Sequence, residues 1–396
     1  MRRQTEKGTP NVNELEVLRQ QIDEIDPQIV ALYERRMEVC KQVGEYKLRN
    51  QMNVLDSGRE IELLRAKANL VQDRELRPYV IALYEQIMAQ SRMLQTKLIN
   101  AWSPAKERAY QEYQEALGLQ RWFPDSDRII YQGQPGAYGE EASIQYFGED
   151  CDRTPARSFE GVFIAIREGL GGYGVLPIEN SSTGSINAVY DLLGKYGCFI
   201  VGETTVHVEH CLASVPGASL GSITDVYSHE QGFLQCRDFL ADFPQWNQNV
   251  EANTAASAKM VARSGDPGKA AIASRRAARI YGLNILAEGI NTNSHNYTRF
   301  VVVAEKPMVT EKADKVSVVF TVPHTEGSLH RILSVFAANG LNLLKLESRP
   351  IPGKGWEYNF FADFTGNLHA EGMEAVVHQL IDETLSFRIL GNYEKG

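Results

Sequence analysis

At 396 residues, with 43% hydrophobic and 23% charged content, the chain can bury two or three separate cores and is excluded from the disordered and fibrous classes. A net charge of -9 argues against nucleic acid or an anionic membrane as the main partner, and residues 1–100 are near neutral (16 basic, 15 acidic), so the acidity lies in the remainder. Five scattered cysteines with no C-x-x-C pair fit reduced thiols and no metal site. Neither a signal peptide nor a run of the roughly 20 apolar residues needed to span a bilayer is found, so a cytoplasmic location is expected.

Taken in chain order, apolar spacing predicts three helices, over 13–49, 57–72 and 76–100, within an all-helical domain 1–100. Residues 101–127 turn polar, with Pro104 and Pro124, and read as a partly helical linker. Short β-rich runs then alternate with helical patterns over 128–305: Ile129–Gln132, Tyr173–Pro177, Phe199–His207, Asp225–Ser228, Ala270–Ala273 and Thr298–Ala304. This is the signature of an α/β domain. From Asp314 to Gly396 the order is strand, helix, two strands, helix, strand, the α+β ferredoxin-like arrangement, so the chain is multidomain.

The first helix carries Leu15, Leu18, Ile22, Ile25, Ile29, Leu32, Val39, Val43 and Tyr46 at the 3,4 spacing of a packed seam, with Arg36 in the slot between Leu32 and Val39. A charge there requires an anionic partner. Lys47, eleven residues on, returns to within about 20° of Arg36, whereas Arg19 lies about 100° away. In the third helix the seam slot is Ser91, with Gln95 one turn further. Pro27 should kink the first helix or restart it at Asp26. On periodicity alone a dimerisation module, with Arg36 neutralised by a protein carboxylate, is equally open.

The strings Leu18-Arg19-x-x-Ile22-Asp23, Glu34-Arg35-Arg36, Val43-Gly44-x-x-Lys47, Asp56-x-x-Arg59-Glu60 and Ser91-x-x-x-Gln95 make residues 13–99 similar to the all-helical chorismate mutases. The resemblance implies a pocket lined by Arg19, Arg36, Lys47, Asp56, Arg59, Glu60, Ser91 and Gln95. It also implies a homodimer in which the partner supplies Arg19. Chorismate rearranges to prephenate without proton transfer, so holding its carboxylates and donating to the breaking ether oxygen, from Lys47 and Gln95, is the chemistry required.

Gly169-Leu170-Gly171-Gly172-Tyr173-Gly174 matches the dinucleotide fingerprint in letters only: a helical pattern precedes it and a strand follows, the reverse of the required context. No cofactor is implied. The polar loops are more informative: Gly133–Gly139, Pro177–Gly184 with P-I-E-N-S-S-T-G, Tyr227–Gln231 with Y-S-H-E-Q, and Asn296–Phe300 with T-R-F. Singly each fits ordinary turn and cap chemistry. Together they resemble prephenate dehydratase, which implies two α/β lobes closing on ligand, like a periplasmic binding protein. Thr298 is then the group acting at the departing hydroxyl. Because a threonine hydroxyl is a poor acid, Thr298 is expected to orient or relay while Glu179, its pKa raised beside the substrate dianion, supplies the proton. Asn180, Ser181, Gln231 and Arg299 would bind prephenate, and a structural ion pair is the alternative for Arg299.

Residues 314–396 resemble the ACT family of amino-acid-binding domains, through Glu326-Gly327-Ser328-Leu329 and Glu347-Ser348-Arg349-Pro350. The resemblance implies phenylalanine as an allosteric inhibitor bound by Gly327, Ser328, Leu329, Glu347, Ser348, Arg349 and Pro350, with Ser328 departing from the usual alanine. A helix cap and a strand-end turn are the alternative. A different overall reading is a non-catalytic amino-acid sensor dimerised by its helices.

Overall fold

The computed structural model describes residues 12–50, 52, 57–99, 104–118, 128–351 and 353–396, which fall into two compact units, Met1–Ser103 and Pro104–Gly396. In the first unit α1 (Val12–Arg49), α2 (Ser57–Leu70) and α3 (Arg77–Ile99) end within two residues of the spacing-based bounds. The expected break at Pro27 does not occur. The helix runs through it, and the Gln28 side chain donates to the Glu24 carbonyl at 3.1 Å beside the turn that the proline interrupts.

Among the described residues the buried interior of this unit is small and partly polar, with Met37, Gly44, Met88, Ser91 and Gln95. Gly44 lets α1 approach α3 there, since a Cβ at that position would stand 3.1 Å from Gln95 Cγ. The seam read from α1 is not internal to the unit. Leu18, Ile22, Ile25, Ile29 and Leu32 are all more than half exposed, whereas Arg36, further along the same stripe, reaches α3.

The second unit opens with α4 (Pro104–Gly118), inside the stretch read as a linker. Its Ala109 and Tyr113 are buried in the core of the C-terminal sheet, and Lys106 Nζ donates to the Asp382 carbonyl at 2.7 Å. Then follow β1 (Ile129–Gln132), α5 (Tyr138–Phe147), β2 (Arg153–Ala156), α6 (Phe159–Arg167), β3 (Tyr173–Asn180), β4 (Gly184–Ser185), α7 (Asn187–Tyr196) and β5 (Phe199–His207). The chain crosses to a second lobe for β6 (Cys211–Ser214), β7 (Asp225–Ser228), α8 (Glu230–Gln235), α9 (Arg237–Ala241), β8 (Asn247–Val250), α10 (Thr254–Ser264), β9 (Lys269–Ala273), α11 (Arg275–Ile280) and β10 (Asn284–Ala287). It then returns as β11 (Tyr297–Ala304).

The first-lobe sheet has the order β2-β1-β3-β11-β5, with β4 beside β3, and the second β10-β6-β9-β7-β8. β11 is therefore a late strand inserted antiparallel between β3 and β5, placing Thr298 opposite Asn180 and Arg299 opposite Glu179. The glycine run 169–174 leads from α6 into the start of β3, a helix-to-strand context opposite to that of a dinucleotide loop.

The last domain comprises β12 (Lys315–Thr321), α12 (Ser328–Ala338), β13 (Leu343–Pro350), β14 (Tyr358–Thr365), α13 (Met373–Glu383) and β15 (Ser386–Tyr393), in the antiparallel order β13-β14-β12-β15. One face packs on α12 and α13. The other sends Phe361, Leu390 and Tyr393 into the first-lobe core with Leu176, Val301 and Val303. The approach is tight at Gly391, where an added Cβ would stand 2.0 Å from the Ile200 carbonyl oxygen. Gly391→Ala is expected to cost about 1–3 kcal/mol by overpacking. Thermal unfolding followed by circular dichroism should show a transition lowered by several degrees, and an unchanged transition would mean that this junction yields freely.

Candidate active sites

In the helical unit, Arg36 reaches across from α1 to α3, where its NH1 donates to Ser91 Oγ at 2.6 Å and lies 3.7 Å from Cys40 Sγ. Ser91 Oγ in turn bonds the Ile87 carbonyl at 2.7 Å, the usual way a mid-helix serine is satisfied. Gln95 is buried one turn further along α3, and its Oε1 has no partner among the described residues. Lys47, on the same stripe of α1 three residues past Gly44, is half-buried. Glu60 on α2 pairs with Arg92 NH1 at 2.5 Å, a partner that the sequence reading did not include. Arg59 is exposed, 4.0 Å from Glu62. Asp56 lies outside the described residues. Arg19 is exposed on α1, and seventeen residues of helix put it about 25 Å from Arg36 along the axis.

In the first lobe, the loop after β3 folds back on the start of β11. Asn180 Oδ1 accepts from Ser182 N at 2.9 Å and Thr183 N at 3.0 Å, while its Nδ2 donates to Thr298 Oγ1 at 2.9 Å, Asn296 Oδ1 at 2.8 Å and the Tyr297 carbonyl at 3.2 Å. Every polar atom of Asn180 is thus engaged within the protein. Ser181 is also tied down: Oγ donates to the His295 carbonyl at 3.1 Å and accepts from Tyr297 N at 2.9 Å. Thr298, nearly buried, accepts through its oxygen, so its own hydrogen stays free to donate.

Gln231 sits on the second lobe at the start of α8, where His229 Nδ1 caps its N–H at 3.2 Å. Its side chain is exposed and shares no hydrogen bond with the Thr298 cluster among the described residues. The lobes meet through the Gly133–Gly139 loop: Ser274 Oγ donates to the Gly136 carbonyl at 2.8 Å, and Arg276 pairs with Glu140 at 3.0 Å.

Glu179 and Arg299 sit together in a cluster of ion pairs. Burial alone would raise Glu179, but Lys345 at 3.1 Å and Arg299 at 3.0 Å outweigh it and hold the carboxyl below its usual range. Within the protein alone these two cations favour its ionised form, against the proton-donor role expected of it. Arg299 is committed to carboxylates rather than open to substrate. It lies 3.0 Å from Glu179, 3.0 Å from Glu203 and 3.1 Å from Asp363 of β14. Burial opposes its charge, but Asp363 and Glu203 raise its pKa above that of a free arginine.

Lys315 on β12 completes this cluster, 2.7 Å from Glu203 and 3.7 Å from Asp363. The regulatory strand β13 faces the same region. Beyond the Lys345–Glu179 pair, Ser185 Oγ donates to Glu347 at 2.8 Å, and Arg349 pairs with Asp191 at 3.1 Å. Gly327 caps α12 in the left-handed region (φ 75°), followed by buried Ser328, whose Oγ bonds Thr325 and Arg331. Lys345, Glu203, Lys315 and Asp363 escaped the sequence reading; their only signal was a charge within a strand, alone in β5, β12 and β14 and at alternate positions in β13.

Three family profiles match in order: chorismate mutase type II over residues 18–96, prephenate dehydratase over 129–308 and the ACT domain over 316–382. The bifunctional chorismate mutase/prephenate dehydratase of Escherichia coli K12 is 34% identical over 96% of each chain. The chain belongs to the bifunctional chorismate mutase/prephenate dehydratase family. Among solved structures, the prephenate dehydratase of Arthrobacter aurescens in complex with L-Phe aligns with a TM-score of 0.63 and 30% identity, over 68% of this chain and 90% of that one. GqqA, described as a novel type of quorum quenching acylase, aligns with a TM-score of 0.63 and 29% identity, over 68% and 98%.

This member of the family thus converts chorismate to prephenate and prephenate to phenylpyruvate, and it carries an ACT regulatory domain. No helix among its described residues is long and apolar enough to cross a membrane. Because Arg299 neutralises carboxylates that are themselves buried, Arg299→Met is expected to destabilise the fold by about 3–5 kcal/mol, the cost of breaking a buried ion pair from one side. Urea unfolding of the full chain measures this, and wild-type stability would show that the cluster rearranges at no cost.

Proposed function

We propose that the helical unit rearranges chorismate in a pocket completed by a second copy of the chain. The two-lobed domain then expels carbon dioxide and hydroxide from prephenate at Thr298, and phenylalanine held by the ACT domain inhibits that step. The observation that carries the dehydratase reading is the hydrogen bond from Asn180 Nδ2 to Thr298 Oγ1, which occupies the oxygen and leaves the hydroxyl hydrogen for the departing oxygen of prephenate. Asn180 and Ser181 act by holding this geometry, and Glu179, ionised, fixes Arg299 and Lys345. Gln231 remains the second-lobe candidate for binding substrate.

In the mutase, Arg36, Lys47, Ser91, Gln95 and Glu60, with Asp56 and Arg59, form the donor set for a substrate with two carboxylates. The axial distance from Arg36 means that Arg19 can serve only a partner's pocket. The exposed Leu18–Leu32 stripe on the same helix supplies the apolar surface that a second copy would cover. At the ACT domain, Gly327, Ser328 and Leu329 and the Glu347–Pro350 segment are the ligand-binding stretches, consistent with the L-Phe complex of the Arthrobacter relative. Glu347 would have to exchange Ser185 for the ligand's ammonium group, which would make binding and dehydratase geometry mutually dependent. The chain is assigned to the cytoplasm as part of this reading.

If Arg19 works in trans, mixing Arg19→Ala subunits with Arg36→Ala subunits should restore mutase activity in about a quarter of the sites, by the statistics of two defects shared between two pockets of a dimer. Absence of rescue on mixing would place both arginines in one chain's pocket. Thr298→Ala should lower dehydratase kcat by about 10²–10³-fold, the usual effect of losing one oxyanion donor, while prephenate still accumulates from chorismate. Parallel loss of both activities would contradict separate sites.

A further inference from the structure

Asn296 heads the T-R-F strand, and nothing above gives it a role in catalysis. Its orientation follows from its neighbours. The Asn180 oxygen is fixed by two backbone N–H groups, Ser182 N at 2.9 Å and Thr183 N at 3.0 Å, so the other end of that amide is the NH2 group. The Asn296 atom 2.8 Å from this NH2 is therefore its oxygen, and Ser182 Oγ also donates to it at 3.4 Å. The remaining end, Nδ2, is a donor. It is buried in a residue only 1% exposed and has no partner among the described residues. An unmade buried N–H costs about 1–3 kcal/mol, and such groups persist where a ligand provides the acceptor.

Asn296 and Thr298 are two residues apart in extended chain, so their side chains emerge on one face, as the exposed Tyr297 between them attests. Both accept from the same Asn180 nitrogen, and both keep one donor unspent: the Thr298 hydroxyl hydrogen and the Asn296 amide hydrogens. Residues 288–296 carry the chain back from the second lobe, so the angle between the lobes sets how closely this pair meets a ligand.

We propose that Asn296 is a catalytic residue of the dehydratase, whose Nδ2 donates to the oxygen leaving C4 of prephenate beside the Thr298 hydroxyl. The inference rests on the assignment of Thr298 to that oxygen. As the bond from C1 to its carboxylate breaks, carbon dioxide departs and the electron pair moves into the ring. The C4–O bond breaks with its pair on oxygen, and the departing hydroxide takes a proton from solvent water as it leaves. Asn296 contributes hydrogen bonds to the growing negative charge and transfers no proton.

Asn296→Asp retains the oxygen that Asn180 and Ser182 hold and replaces the donor with a group that donates only when protonated. In the full chain, dehydratase kcat at pH 8 should fall about 10²–10³-fold with KM little changed. It should recover at least about tenfold as the pH is lowered toward 5, where a buried carboxyl regains its proton, while the wild type changes much less. A kcat within threefold of wild type, a loss carried by KM alone, or a loss independent of pH would each overturn the proposal.

Should this variant not fold, Asn296→Ala combined with Thr298→Ala decides instead. Two donors to one oxygen predict a double-variant loss smaller than the product of the single losses, whereas a multiplicative loss would place Asn296 at another task. If Thr298→Ala kept full turnover while Asn296→Asp lost it, the Thr298 assignment would fail and the Asn296 donor would stand.

Discussion

The Arg299 guanidinium is the interaction on which the rest of the second unit depends. It gathers carboxylates from β3, β5 and β14, and with Lys315 it neutralises Glu203 and Asp363, whose side chains are 2% and 9% exposed. Charges so far from water are tolerable only when paired in good geometry, so the strands bearing them can adopt few arrangements. Strand alternation then ties this constraint to chemistry. Thr298 and Asn180 face one side of the β3–β11 pair, and Arg299 and Glu179, the next residues of each strand, face the other. One dipeptide therefore presents the Thr298 hydroxyl on one side and the joint to the ACT sheet on the other.

The contacts of β13 extend that joint. Lys345, Glu347 and Arg349, at alternate positions, meet Glu179, Ser185 and Asp191 in the three segments that immediately follow one another around the P-I-E-N-S loop. A ligand that drew Glu347 away from Ser185 would act on the chain five residues from Asn180. The distance to be bridged is short, and the intervening backbone is already held by Asn180 itself.

Much of this was readable from sequence because it is local. The long helices have apolar periodicity, the interior strands β1 and β11 carry apolar runs, and the βαββαβ order of the last domain follows from element succession. The strands that escaped notice are short and weakly patterned: Arg153–Ala156 and Asn247–Val250 are edge strands with polar residues, and Cys211–Ser214 is four small or modest side chains. The motifs located Thr298 and Glu179, but not the protonation state of Glu179, which is set by Lys345 from 166 positions away in the chain. Likewise the α1 stripe was evident, but whether it faced a neighbouring helix or outward depends on packing that no spacing encodes.

The order of domains along the chain differs from the order in which their cores are shared. Helix α4 precedes the dehydratase in sequence yet lends Tyr113 to the interior of the last domain, and that domain lends Phe361, Leu390 and Tyr393 to the dehydratase. Recombination between α4 and β1 or near residue 310 would therefore separate parts of shared hydrophobic interiors, and the second cut would leave an acidic side chain, Glu203, without its lysine. Shuffling of catalytic and regulatory parts in such a lineage is consequently constrained to exchange the helix, the two lobes and the final sheet together, as one heritable block.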